Sequence, residues 1–159
     1  MLAVTVYSIS VGIHVIFAVS FLGMAGSFSV IGPAVREDIT KAPFALGVIG
    51  KIQRIGVIPG VIGILLTGMY QLSNSSYTPS DDAWLLVSLI IFALMVGGLF
   101  ITMPAVQTAK AEAEKFLAAD GPPVPTPAFV AAIKKMSMIG PATGVGLMLI
   151  TFLMEVKPF

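Results

Sequence analysis

The chain has 159 residues, of which 57% are hydrophobic and only 11% charged, and its mean hydropathy is +0.99. A soluble globule carries about a quarter of its residues as charges, so the composition excludes an ordinary water-soluble domain and describes an integral membrane protein. A net charge of +1 without a dense basic patch argues against a nucleic-acid partner, and the absence of cysteine removes disulfides, thiolate metal sites, iron–sulfur clusters and cysteine nucleophiles.

Crossing the hydrocarbon core takes about 20 apolar residues. Four stretches meet that length, at about 2–35, 55–72, 83–106 and 136–156, and they use nearly all of residues 1–159 as one transmembrane domain. The expected class is therefore all-α: a polytopic membrane protein with four transmembrane helices in a bundle. The first stretch reads poorly as a cleaved signal peptide, because it has no basic leader, is too long, and contains His14 and several glycines.

Basic residues are retained on the cytoplasmic side of membrane proteins. Arg36, Lys41, Lys51 and Arg54 lie between the first two spans, and Lys110, Lys115, Lys134 and Lys135 between the last two, so eight of the nine Lys and Arg share one side. The second connection, Ser73 to Asp82, has none and carries Asp81 and Asp82. Loops 36–54 and 107–135 are thus expected in the cytoplasm, with both termini outside, in a multi-pass protein of the inner (plasma) membrane. Tyr7, Tyr70, Tyr77 and the single tryptophan, Trp84, fall at the expected outer interface, where amphipathic rings prefer to sit.

The two halves of the chain resemble each other. Ile31-Gly32-Pro33-Ala34-Val35-Arg36 closes the first span and Thr102-Met103-Pro104-Ala105-Val106-Gln107 the third; the second span reaches Pro59-Gly60 and the fourth Gly140-Pro141. This pattern suggests a duplicated helical hairpin related by an axis along the membrane normal. In lipid, helices associate through close approach at small residues. Gly56 and Gly60, Gly140 and Gly144, with Gly63, Gly68 and Gly146 nearby, and the surface Gly23, Ala25, Gly26 and Ser27 are the expected packing faces. The third loop opens with the helix formers 109–115 and ends in a connector, 120–127, with four prolines.

Chemistry inside the membrane has few candidates. No Asp or Glu falls near the middle of a span, which argues against a carboxylate proton relay. His14 is the only histidine and lies about 12 residues, or about 18 Å, along the first helix. A deep ionisable group is by default a functional candidate, and imidazole is a common axial ligand of haem iron. Tyr7, Ser10, Phe17, Ala18 and Phe21 share its helical surroundings and would suit a planar ligand; the plain alternative is a histidine hydrogen-bonded between helices. A single histidine leaves a sixth position to a methionine, and Met69, Met148 and Met154 are at admissible depth. Lys51 and Arg54 enter the second span one turn apart. They either snorkel to headgroups or bind an anion, a propionate, lipid phosphate or carboxylate among them.

Arg54, Pro59-Gly60 and Leu66-Thr67-Gly68-Met69, with Leu153-Met154-Glu155-Val156-Lys157-Pro158, resemble a family of bacterial four-helix integral membrane proteins of unknown function over essentially the whole chain. More distantly, His14 with Phe21-Leu22-Gly23, then Arg54, Pro59 and Gly68, is similar in order to the membrane-bound, haem-containing protoporphyrinogen oxidases of bacteria and to the membrane domain of copper-resistance protein D. That resemblance implies haem b and a first-helix histidine ligand, at the position of His14. The Tyr- and Arg-rich segment and second histidine of those oxidases are absent here. Three roles follow as expectations: a haem- or tetrapyrrole-binding protein, with His14, Met69, Arg54 and Lys51 as cofactor contacts; an accessory subunit packing with itself or with other membrane subunits in the lipid bilayer; or a small-solute transporter.

Overall fold

The structure is a computed structural model that describes residues 5–157, without the side chains of residues 25, 27–30, 32–34 and 36. The parts of the repeat carried by Pro33 and Ala34, the small residues Ala25 and Ser27, the basic Arg36 and the terminal Pro158 therefore lie outside the described residues. Among the described residues four helical spans are long and apolar enough to cross a membrane.

The first helix, α1, runs Val6–Glu37. Thr5 caps it, its Oγ1 accepting from the Ser8 N–H at 3.2 Å. Its 32 residues reach about 48 Å, beyond a hydrocarbon core of about 30 Å. Asp38 then leaves the helical region (φ −143°), and its carboxylate accepts from the Thr40 backbone N–H at 3.1 Å and the Thr40 hydroxyl at 2.5 Å. These contacts set a single 3₁₀ turn, Ile39–Lys41, which feeds directly into α2, Ala42–Ile52.

Residues 36–54 are therefore not a loop, as the sequence suggested. The Ala42, Leu46 and Ile49 side chains recur on one helical face and are buried, while Lys51 interrupts the apolar run that marked the span. A π-helical turn, Gln53–Val57, joins α2 to α3, Ile58–Ser73, in which the Ile58 N–H bonds the Gln53 carbonyl five residues back. Pro59 gives the physical reason. Its ring would collide with the Ile55 carbonyl of a regular α-turn, and the wider turn moves that carbonyl aside. The second span thus becomes one continuous helical run, Ile39–Ser73.

The last two spans are longer than their apolar cores. α4 covers Ala83–Ala118 and passes through Pro104; α5 covers Pro127–Val156 and passes through Pro141. Loop 107–135 accordingly shrinks to a connector at 119–126. Thr126 closes it, accepting from the Phe129 N–H at 3.1 Å as N-cap and donating its hydroxyl to Glu112 at 2.8 Å. Ala113, Phe116, Phe129 and Ala132 are buried across the two helices, and the rings of Phe116 and Phe129 meet edge to face at 5.3 Å.

The most extensive pairing is α4 with α5, followed by α1 with α3; α2 packs on α4 and α1 on α5. This is the pairing expected of two hairpins placed side by side. One buried cluster sits at the basic end (Leu46, Ile49, Val106, Phe116) and another in the middle (Phe21, Val57, Ile64, Met95, Leu147, Ile150). Two buried hydroxyls within the spans bond carbonyls of their own helices: Ser88 donates to the Trp84 carbonyl at 2.8 Å and Thr143 to that of Ile139 at 2.9 Å. At the opposite end Lys157, in the left-handed region (φ 46°), donates to the Tyr77 hydroxyl at 3.1 Å and covers that ring at 4.4 Å, with Trp84 edge-on to Tyr77.

Candidate functional site

His14 lies in the antiparallel seam between α1 and α3. His14, Phe17, Phe21 and Met24 follow each other at three- and four-residue steps and so share one face of α1. Glycines receive them from α3 and the π turn. A side chain at Gly56 would run into the Met24 sulfur, one at Gly63 would lie 2.5 Å from the Phe17 ring, one at Gly60 3.7 Å from Phe21, and one at Gly68 3.4 Å from His14 Cε1. The expected packing role of Gly56, Gly60, Gly63 and Gly68 is thus seen. Phe17 and Phe21 fill this seam rather than lining an open slot.

The imidazole is half-buried and its Nδ1 lies 2.8 Å from Thr67 Oγ1. The Thr67 hydroxyl has one proton, and it stands 2.6 Å from the Gly63 carbonyl, the usual acceptor for a threonine inside a helix. Toward His14 the same oxygen is then an acceptor, so Nδ1 carries the ring proton. In the neutral imidazole this leaves the lone pair on Nε2. One turn further along α3, the Gln71 amide donates to the Ser10 carbonyl at 3.3 Å, and the Ser10 hydroxyl is buried without a hydrogen-bond partner among the described residues. Ser10, His14, Thr67 and Gln71 together make a polar cluster toward the end of the seam remote from the basic residues.

The other sequence-derived candidates lie elsewhere. Met69 is 61% exposed. It lies two residues past Thr67, about 200° around the helix, so it faces away from His14. Met148 is exposed on α5 and Met154 is half-buried beside the central cluster. Lys51 is exposed at the end of α2, and Arg54 lies in the π turn. Thirteen residues separate Arg54 from Thr67, about 20 Å along the axis, so the basic pair and the histidine belong to opposite ends of the bundle. Among the described residues no three His, Cys, Asp or Glu side chains gather as a metal site.

Three participants were missed in the sequence. Thr67 and Gln71, four residues apart, form a polar stripe on an otherwise apolar helix, and that spacing was available to be read. Gln53, between Lys51 and Arg54, is only 4% exposed, which its polar side chain beside two charges does not announce.

No curated protein and no solved structure matches the chain. The sequence model of the family described as predicted integral membrane protein (DUF2269) matches residues 9–158, nearly the whole length, and the chain belongs to that family.

Proposed function

We propose that this protein binds a b-type haem in the plasma membrane, whose iron His14 would hold through Nε2. The observation that carries the reading is the hydrogen-bond chain from His14 through Thr67 to the Gly63 carbonyl. A second-shell acceptor on Nδ1 is the usual means by which a protein orients a ligating imidazole and raises its basicity. Since His14 and Arg54 lie at opposite ends of the bundle, the basic pair would take no part in holding the haem. We place the basic ends of the helices in the cytoplasm and both termini outside, on the charge distribution.

The test is the visible spectrum of protein purified from its native membrane. A Soret band that disappears in His14→Ala and weakens in Thr67→Val is the expected result. A preparation with no Soret band, unaltered by His14→Ala, refutes the proposal.

A second reading, an accessory subunit, is favoured by a different observation. A side chain at Gly140 or Gly144 would meet nothing within 4 Å among the described residues, so this small-residue motif of α5 is left free for another helix. Co-purification of a stable membrane partner that Gly144→Leu releases would support it; an isolated monomer from native membranes would count against it.

A further inference from the structure

At the basic end of the bundle a cleft of about 180 Å³ opens between the π turn and α4, lined by Gly50, Gln53, Arg54, Met103, Pro104 and Gln107. Two sequence features create it. The π turn widens one wall, and Gly50 leaves room opposite, since a side chain there would come within 3.4 Å of the Gln107 amide nitrogen. The cleft gathers hydrogen-bond donors from Gln53, Arg54 and Gln107 that no other described residue engages. Gln53 is 4% exposed, and among the described residues its carboxamide makes no hydrogen bond. Arg54, beside it, has no acidic partner among the described residues. No carboxylate lines the cleft.

We propose that this cleft is a phosphate-binding site, independent of the His14 reading. A guanidinium offers a two-pronged fork that one carboxylate saturates. Here two carboxamides add donors from α4 and from the π turn, which suits the additional oxygens of a tetrahedral phosphate. The volume holds about six waters at about 30 Å³ each; it accepts a phosphate and excludes a whole lipid. Arg54 lies about 24 Å along the helix from Tyr70, close to the thickness of the hydrocarbon core, so the cleft opens at headgroup level. Met103 and Pro104 supply an apolar lip along which acyl chains would descend. The phosphate can thus arrive on an anionic phospholipid or as the free ion.

Native mass spectrometry and thermal unfolding of the full chain in nanodiscs decide between these sources. With phosphatidylglycerol against phosphatidylcholine as probes, the wild type should retain the anionic lipid preferentially. Arg54→Gln should lower that preference about tenfold, the loss of a charge-assisted hydrogen-bond pair, and Gln107→Leu severalfold. Lys51→Gln, outside the cleft, should leave it within twofold. Stabilisation by millimolar inorganic phosphate in neutral-lipid discs, absent in Arg54→Gln, would assign the site to the free ion. If Arg54→Gln does not fold, Gln107→Leu carries the same test. Equal loss in Lys51→Gln and Arg54→Gln, or unchanged lipid preference and no phosphate response in the cleft variants, overturns the proposal.

Discussion

Replacing Gly63 by alanine tests the α1–α3 seam at its tightest point. The added carbon would stand 2.5 Å from Cδ2 and Cε2 of Phe17 and 2.7 Å from Cγ. Carbon atoms rest at about 3.5–4.0 Å, so the ring must retreat by about 1 Å. Phe17 is flanked along its face by His14 and Phe21, and Phe21 is 1% exposed, so it has little room to move along the seam. Overpacking of this kind costs about 1–3 kcal/mol, and exchanging a helical glycine for alanine returns up to about 1 kcal/mol. The expected net loss is about 1–2 kcal/mol, read from unfolding in mixed micelles against the wild type. Two other glycines are internal controls. Gly60→Ala places its carbon at an ordinary 3.7 Å from Phe21, and Gly144→Ala meets nothing within 4 Å; both should match or slightly exceed the wild type. Adding Phe17→Leu to Gly63→Ala should recover part of the loss. If Gly63→Ala proves as stable as Gly144→Ala, the aromatic-into-glycine packing described here is wrong.

Thr67→Val removes the acceptor for His14 Nδ1–H; ¹⁵N NMR should show the ring passing from one tautomer to a mixture, with about 0.6 kcal/mol of stability lost, the average for hydrogen bonds between membrane helices. A wild-type ring already protonated on Nε2 would contradict the assignment. The Asp38 carboxyl is held below its ordinary value of 3.8 by the Thr40 hydroxyl and then by the Lys41 ammonium. A depressed folded-state value means that its contribution to the 3₁₀ turn is present above pH 3.8 and lost as pH falls through the lower folded value; a carboxyl-carbon NMR titration should find that midpoint below 3.8, and one at or above it would remove the effect. Lys157→Met takes away the cation over Tyr77, worth about 0.5–1 kcal/mol at an exposed site, and amide exchange over residues 153–156 should quicken severalfold. Unchanged exchange would mean that the contact does not hold the helix end.

The number and order of the spans were legible because uninterrupted apolar length is a strong requirement of the bilayer. The helical extensions were not. Lys51 and Arg54 interrupt the apolar run without interrupting the helix, since their long side chains reach outward while Ala42, Leu46 and Ile49 pack inward. Glycine motifs were visible, but spacing alone does not say which meet a neighbour: Gly56 and Gly60 do, whereas Gly140 and Gly144 face open space. His14 stood out as a lone ionisable residue. Its partner did not, because a threonine inside a membrane helix ordinarily serves only its own backbone, and Thr67 serves both. Pro59 marked a break, but whether such a break becomes a kink or a widened turn depends on what packs around it.

The π turn also acts as a phase setter. It holds one more residue than an α-turn would, so the stripe that α3 presents is rotated by about 100° relative to an unbroken continuation of α2. That offset lets one span address two different neighbours, α4 through Leu46 and Ile49 and α1 through Gly60, Gly63 and Thr67. Removing a single residue between 53 and 57 would leave composition and hydropathy almost untouched, yet it would turn the glycine row and Thr67 off their aromatic and histidine partners. The identity of this membrane protein's interior thus rests on a count of residues as much as on their kinds.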